Sequence, residues 1–353
     1  MVGLEAAVNH FVRAKPQNIA DSVTSVSSGL IMTLGGLVSR AIMLRVYSSL
    51  HQQYAVVSLP WDSPLTWVVT ALLLDCGYYW FHRASHEVGL LWAVHQVHHS
   101  SQYFNLTTAL RQPLLEGLGW LTHWFYLPLA LAIPTPQMVV HAEFNFLYQF
   151  LIHTELIGDL GPLGLVLNTA SHHRVHHGAN RYCLDKNYGG WLSVWDRIFG
   201  TFQEERPGEE IVYGLVDQPR FFDVIKLQFF YFPLLHNKLG PGTNSSWVER
   251  IKCYMFGPGW FPGQDLPRLG DPSLVQERPD RSLHFSEIHW MMHLNSLLQL
   301  CTMICIHDEI SISFQSLSLP QLSILLVFVF WTVWSLGLTY DQADTAPAVE
   351  FSR

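Results

Sequence analysis

DCGYYWFHRASHE, residues 75–87, begins as apolar chain and ends in two histidines four residues apart. The run before it, Leu65 to Phe81, approaches the roughly 20 apolar residues that a bilayer-crossing helix needs. Asp75, Tyr79, His82 and His86 follow one another in steps of four, three and four, which places all of them on one face of that helix. Ionisable groups at the end of an apolar span are costly and so mark function. Asp75 is expected to accept the outward N–H of a ligating imidazole and fix its tautomer.

Two further stretches repeat the theme. HQVHH (95–99) and HHRVHH (172–177) each contain H-x-x-H-H, against the H-x-x-x-H of residues 82–86. A single H-x-x-x-H is common in helices, but three clusters supply far more imidazole than one metal ion can use. A structural zinc closes with four ligands, whereas two octahedral irons with positions left for dioxygen take about eight imidazoles. Neutral imidazoles cancel none of the charge of a metal pair, so nearby acids gain importance, and Glu87, Glu155, Asp185 and Asp196 are those available. A zinc-protease reading fails because position 90, where its second histidine would stand, is Leu90.

Composition sets the class. Of 353 residues only 14% are charged, against roughly 25% in soluble domains, which points to an integral membrane protein. A net charge of −8 argues against a nucleic-acid partner, because phosphate backbones need a basic face. The five cysteines show no C-x-x-C spacing, so neither a disulfide framework nor a zinc knuckle is expected. Glu5 and Asn9 stand where a cleavable signal would need an apolar core, so the first true membrane segment is expected to direct insertion. The sequons at Asn105 and Asn244 are weak signals.

Six candidate spans follow: Val23 to Leu44, Leu65 to Phe81, Gly117 to Ile133, Gln137 to Ile152, Ile288 to Cys305 and Leu319 to Leu338. The third and fourth are separated by Ile133-Pro134-Thr135-Pro136, a stiff turn that predicts a hairpin. That hairpin would return His153 and Glu155 to the histidine surface, making His153 a candidate ninth ligand. His172 overlaps the frame that starts at His173, so one of the two is expected to support a ligand rather than bind metal. The scattered His10, His51, His123, His141, His236, His284, His289, His293 and His307 read as structural. Trp67, Tyr78, Trp80, Trp120, Trp124, Phe144 and Phe146 read as packing and interface anchors.

The chain divides into an N-terminal region with a membrane segment (1–60), a histidine-rich core (61–205), a Pro/Gly-rich polar or interfacial region (206–285) and C-terminal membrane segments with a tail (286–353). Arg83, Arg111, Arg174, Arg181, Lys186 and Arg197 lie on the histidine side and place it in the cytosol, although Arg40 and Arg45 disagree. Arg111 and Gln112, just before an apolar segment, are candidates to bind a lipid head group or a reductant, or to anchor at the interface. The expected fold is thus all-α, an integral membrane helical bundle with a cytosol-facing, histidine-rich di-iron site. Reductive O2 activation needs two electrons, yet the chain has neither G-x-G-x-x-G after a strand nor an H-P-G-G haem stretch. Electrons must come from a diffusing reductant or a partner protein. A histidine-rich metal transporter would instead carry ionisable residues along a transbilayer path.

With these clusters in this order, the chain resembles the fatty acid hydroxylase and sterol desaturase superfamily of membrane di-iron oxygenases. YYWFHRASHE (78–87), HQVHHSSQYFNLTTALRQ (95–112), NTASHHRVHHGANRYCLDKNYGG (168–190), WDRIFGTF (195–202) and GPGWFPG with PRLG (257–270) are similar to its ether-lipid monooxygenase branch. The resemblance implies an endoplasmic reticulum enzyme that uses O2 and tetrahydrobiopterin to hydroxylate the ether-linked carbon of 1-O-alkylglycerols and lyso-alkylphospholipids. A fatty aldehyde and the glycerol derivative are then released, and pterin-recycling enzymes are functional partners. It implies His82, His86, His95, His98, His99, His173, His176 and His177 as iron ligands, with Glu87 an acid needed close by. The competing reading in the same superfamily is a sterol or fatty-acyl hydroxylase or desaturase fed by cytochrome b5.

Overall fold

A computed structural model describes residues 1–15, 18–117, 125–240, 246–280 and 282–352. Among these the chain is helical, without strands; its only pairings of that kind are isolated bridges, Leu167 to Leu192 and Gly178 to Tyr213. The helices are α1 Val2–Phe11, α2 Ile19–Tyr54, α3 Pro64–Glu87, α4 Gly89–His99, α5 Leu114–Gly117, α6 Thr135–Ile152 and α7 Ala170–His176. They continue as α8 Val194–Phe199, α9 Val224–Phe229, α10 Tyr231–Asn237, α11 Trp247–Met255, α12 Trp290–Ser313, α13 Leu319–Tyr340 and α14 Ala346–Ser352.

Two of them, α2 and α13, are long and apolar enough to cross a membrane. At 36 residues α2 is about 54 Å long, well beyond a hydrocarbon core of about 30 Å, so the expected span of Val23 to Leu44 is the middle of a longer rod. The predicted segments at 65–81, 137–152 and 288–305 lie in α3, α6 and α12, which are helical but fall short on apolarity. The hairpin expected from Gly117 to Ile152 is described only in part. Of its first arm, 118–124, with Trp120, His123 and Trp124, lies outside the described residues, as does the sequon at Asn244. The arm that follows holds only a short 3-10 turn, Leu127–Leu131. Pro134 does stop the chain there, as the cap residue of α6.

Four apolar clusters hold the described residues, one of them around Val175, Tyr182, Cys183 and Ile211. Ala20, Ile31 and Leu34 of α2 pack with Met303 and Ile310 of α12 and Val329 and Val333 of α13. Farther along, Tyr47 of α2 meets Leu74 of α3 with Ile133 and Met138. Beyond the membrane-type helices, Ala93 of α4 packs with Leu235, Cys253 and Trp260.

The decisive local event is the break between α3 and α4. Val88 turns extended (φ −119°, ψ 116°) and Gly89 opens the next helix. A Cβ at Gly89 would lie 2.9 Å from the Phe256 carbonyl, which the Gly89 N–H meets at 2.8 Å. Glycine therefore lets α4 seat against the 253–256 segment and turn back. His95 and His99 consequently face His82 and His86. A buried ion pair, Arg111 Nη2 to Asp21 Oδ1 at 2.6 Å, ties the chain leaving α4 to the start of α2. Arg111 also donates to Ser25, so its guanidinium is consumed inside the protein and is available neither to a head group, nor to a reductant, nor as an interfacial anchor.

Candidate metal centre

The clustered histidines sort into two groups, not one. His82, His86, His95, His99 and His176 bring one nitrogen each within 4.8 Å of the others, and His98, His153, His173 and His177 do the same. Helix geometry explains the sorting. The i, i+4 pairs 82/86 and 95/99 each aim at the first group and 173/177 at the second, while the residue just before His99 and the one just before His177 cross to the opposite group. The His98-His99 and His176-His177 steps thus each serve two sites. The groups adjoin: the His99 and His177 rings stack at 4.3 Å and those of His173 and His176 at 5.1 Å.

Tautomers follow from the partners. His82 Nδ1 meets the Tyr188 carbonyl at 2.9 Å, His176 Nδ1 that of Lys186 at 2.9 Å, His98 Nδ1 that of Arg111 at 3.1 Å and His153 Nδ1 that of Gln149 at 2.6 Å. A carbonyl only accepts, so these rings carry the proton on Nδ1 and present a bare Nε2 lone pair inward. His95 Nδ1 donates likewise to Glu116 Oε1 at 2.8 Å. In the first group all five Nε2 atoms are buried without a hydrogen-bond partner. Within the second, His153 Nε2 lies 3.2 Å from His98 Nε2, 3.1 Å from His177 Nε2 and 3.0 Å from His173 Nε2. Two bare lone pairs, those of His98 and His153, face each other. Only a positive charge between them makes that arrangement favourable.

Protonation cannot supply that charge at neutral pH. Burial holds the His153 imidazole down to about 4 and that of His176 to about 3. The donor set fits metal ions that take neutral imidazole.

The remaining predicted residues fall in different places. His172 joins neither group. It is the third residue of α7, its backbone N–H and Nδ1 engage Thr169 in a capping box, and its ring packs on Phe202 at 4.9 Å. His153, which enters the site from the end of α6, completes the second group instead. Asp75 does not touch His82, whose N–H is already used. Its carboxylate accepts from Trp191 N at 2.9 Å, Leu192 N at 3.2 Å and Trp195 Nε1 at 2.9 Å. Asp196 accepts from Tyr188 N at 2.7 Å, Gly189 N at 2.8 Å and Thr201 Oγ1 at 2.7 Å. Both acids therefore fold the 188–195 loop, and that loop presents the carbonyl that orients His82. Gly190 is required there, since a Cβ would come within 2.6 Å of Asp75 Oδ1.

Glu87 is buried beside the site and pairs with Arg83 at 2.7 Å and Arg268 at 3.8 Å. Asp185 Oδ1 stands 4.0 Å from His86 Nδ1, and burial raises its carboxyl to about 6. Glu155 is turned away, toward Lys15 and the Tyr213 hydroxyl, in a neighbouring cleft. Glu116 is the acid that the sequence reading missed. Its only signal was a lone carboxylate inside the apolar stretch that follows Pro113.

An all-helical chain that closes adjoining polyhistidine groups defines a protein of the fatty acid hydroxylase class, and the family model described as Fatty acid hydroxylase matches residues 67–201, the segment carrying all nine imidazoles. The chain belongs to the alkylglycerol monooxygenase family. It is 42% identical to the Homo sapiens alkylglycerol monooxygenase over 99% of its own length and 77% of that relative's. It is 42% identical to the Danio rerio protein of that name (95% of this chain, 74% of the relative) and 39% identical to that of Xenopus tropicalis (100% and 78%). No solved structure matches the chain.

Proposed function

We propose that the protein is a membrane monooxygenase that hydroxylates the ether-linked carbon of 1-O-alkylglycerols and lyso-alkylphospholipids, with O2 and tetrahydrobiopterin. The observation that carries the reading is the double set of converging imidazole nitrogens, with a proton-free Nε2 on His82, His95, His98, His153 and His176, which suits two adjacent irons. His82, His86, His95, His99 and His176 would hold one and His98, His153, His173 and His177 the other. When bound, the irons supply the activation of O2 needed to oxidise an unactivated C–H bond.

The chain's own residues do the rest. Backbone carbonyls of Gln149, Arg111, Tyr188 and Lys186 keep the Nδ1 protons in place, so each ring is preorganised as a neutral donor. Glu116 adds negative charge behind His95, and Asp185 stands on the His86 side, while the charge of Glu87 is taken up by Arg83 and Arg268. The imidazoles are at most 5% exposed, so bulk water is kept from the nitrogens that would bind the metals. Hydroxylation next to an ether oxygen gives a hemiacetal, which separates into a fatty aldehyde and the glycerol derivative. In this reading the protein sits in the endoplasmic reticulum membrane, multi-pass, with the site toward the cytosol and pterin-recycling enzymes nearby.

Membranes containing the expressed protein should consume an alkylglycerol with tetrahydrobiopterin as sole added reductant. Oxidation of a sterol or fatty acyl chain only, and only when cytochrome b5 is supplied, would overturn the proposal.

A further inference from the structure

A diffusing reductant would deliver its two electrons to the histidines from the protein surface. A cleft of about 790 Å³ opens beside the second histidine group, within the roughly 300–1,000 Å³ range of small-molecule sites. Its floor is Phe104, five residues past His99. The Phe104 ring lies near-parallel to Tyr213 at 5.0 Å (17°) and to His153 at 5.6 Å (24°). It also meets His177 at 5.2 Å. A stack of three rings, Tyr213, Phe104 and His153, thus runs from the cleft into the four-histidine group.

The lining carries four cationic side chains, among them Lys15 and Arg174, and five carboxylates, among them Glu155 and Glu209. Lys15 is paired with Glu155, Arg174 with Glu205 and Arg278 with Glu210, so the wall leaves little uncompensated positive charge for a pyrophosphate-bearing nucleotide. An uncharged planar ring with several donors and acceptors suits it, because both signs of partner stand within reach and aromatic faces lie behind. One partner is missing. Asn9 is 4% exposed and lines the cleft, yet its Oδ1 is buried with no hydrogen-bond donor.

We infer that this cleft, with Asn9, Phe104 and Tyr213 at its centre, is the binding site for the two-electron reductant, a reduced pterin. The inference rests on the monooxygenase reading above. The balance is complete: two electrons and two protons leave the tetrahydropterin, which becomes a dihydropterin. They reduce one atom of O2 to water while the other atom enters the C–H bond.

The test is anaerobic calorimetric titration of tetrahydrobiopterin into the purified, iron-loaded full chain, compared with Asn9→Leu and Tyr213→Leu. Both variants should bind at least tenfold more weakly while iron content stays at the parental level, which also reports that they are folded. Should one variant fail to load iron, the other carries the comparison. Parental affinity in the iron-loaded variants would overturn the inference. So would weakened binding of a lyso-ether lipid with unchanged pterin binding, which would make the cleft a head-group site. Absence of pterin binding by the parent overturns it too, whatever lipid the enzyme oxidises. Conversely, tight pterin binding lost in the variants sustains the site even if the oxidised lipid proves to be a sterol.

Discussion

Residue by residue, the centre is governed by where each imidazole proton goes. His98 is held with its Nδ1 proton on the Arg111 carbonyl and its Nε2 toward His153, so His98→Ala should remove a ligand that no neighbour can replace. We expect loss of turnover and of one iron with membrane insertion intact; full activity would reject the assignment. His172→Ala tests the contrast. It should cost about 1 kcal/mol or less through the lost reciprocal bond of the capping box, Thr169 N–H to His172 Nδ1, and leave iron content unchanged, as read by thermal denaturation and metal analysis. Glu116→Gln should weaken metal affinity at the five-histidine group by about 10–100-fold, the usual cost of losing a partner behind a ligand, and a competition titration with a chelator would measure it. The clusters were legible in the sequence because i, i+4 spacing is a property of the chain itself. The split of the His98-His99 and His176-His177 steps between two sites was not, since it depends on how α4 and α7 are rolled against each other. Neither was Glu116, whose partner His95 lies 21 residues away.

At the scale of elements, the turn at Val88–Gly89 and the loop at 188–195 do the positioning. Gly89→Ala would push a Cβ into the Phe256 and Cys253 carbonyls at 2.9 and 3.0 Å, a backbone clash that should cost about 1–3 kcal/mol. Because α4 carries three of the nine imidazoles, we expect iron content to fall along with the thermal midpoint; an unchanged midpoint would contradict this account of the turn. Asp75 shows how far spacing can carry an argument. Its place on the His82 face was readable, but its partners, Trp191, Leu192 and Trp195, lie more than a hundred residues on. Local periodicity cannot supply such long-range pairings. Hydropathy likewise marks α13 plainly, whereas the described residues just before Ile133 form a 3-10 turn, where Pro128 and Pro134 interrupt regular hydrogen bonding.

For the whole molecule, the metal site and the fold are one thermodynamic system. Nine buried, converging imidazoles, with the bare Nε2 lone pairs of His98 and His153 facing each other, are a liability without cations, so metal removal should lower stability. In the metal-free protein His153 is held to about 4 and His176 to about 3, against an ordinary 6.5. The unfolded chain then binds more protons than the folded one below 6.5. Stability of the metal-free form is therefore full above pH 6.5 and falls as the pH drops toward 4, which chelator-treated protein unfolded at stepped pH would reveal. The most direct check on the whole account is metal analysis of the purified full-length chain expressed in iron-replete cells. Two irons per chain is the predicted result; a single iron, or stoichiometric zinc in its place, would contradict it.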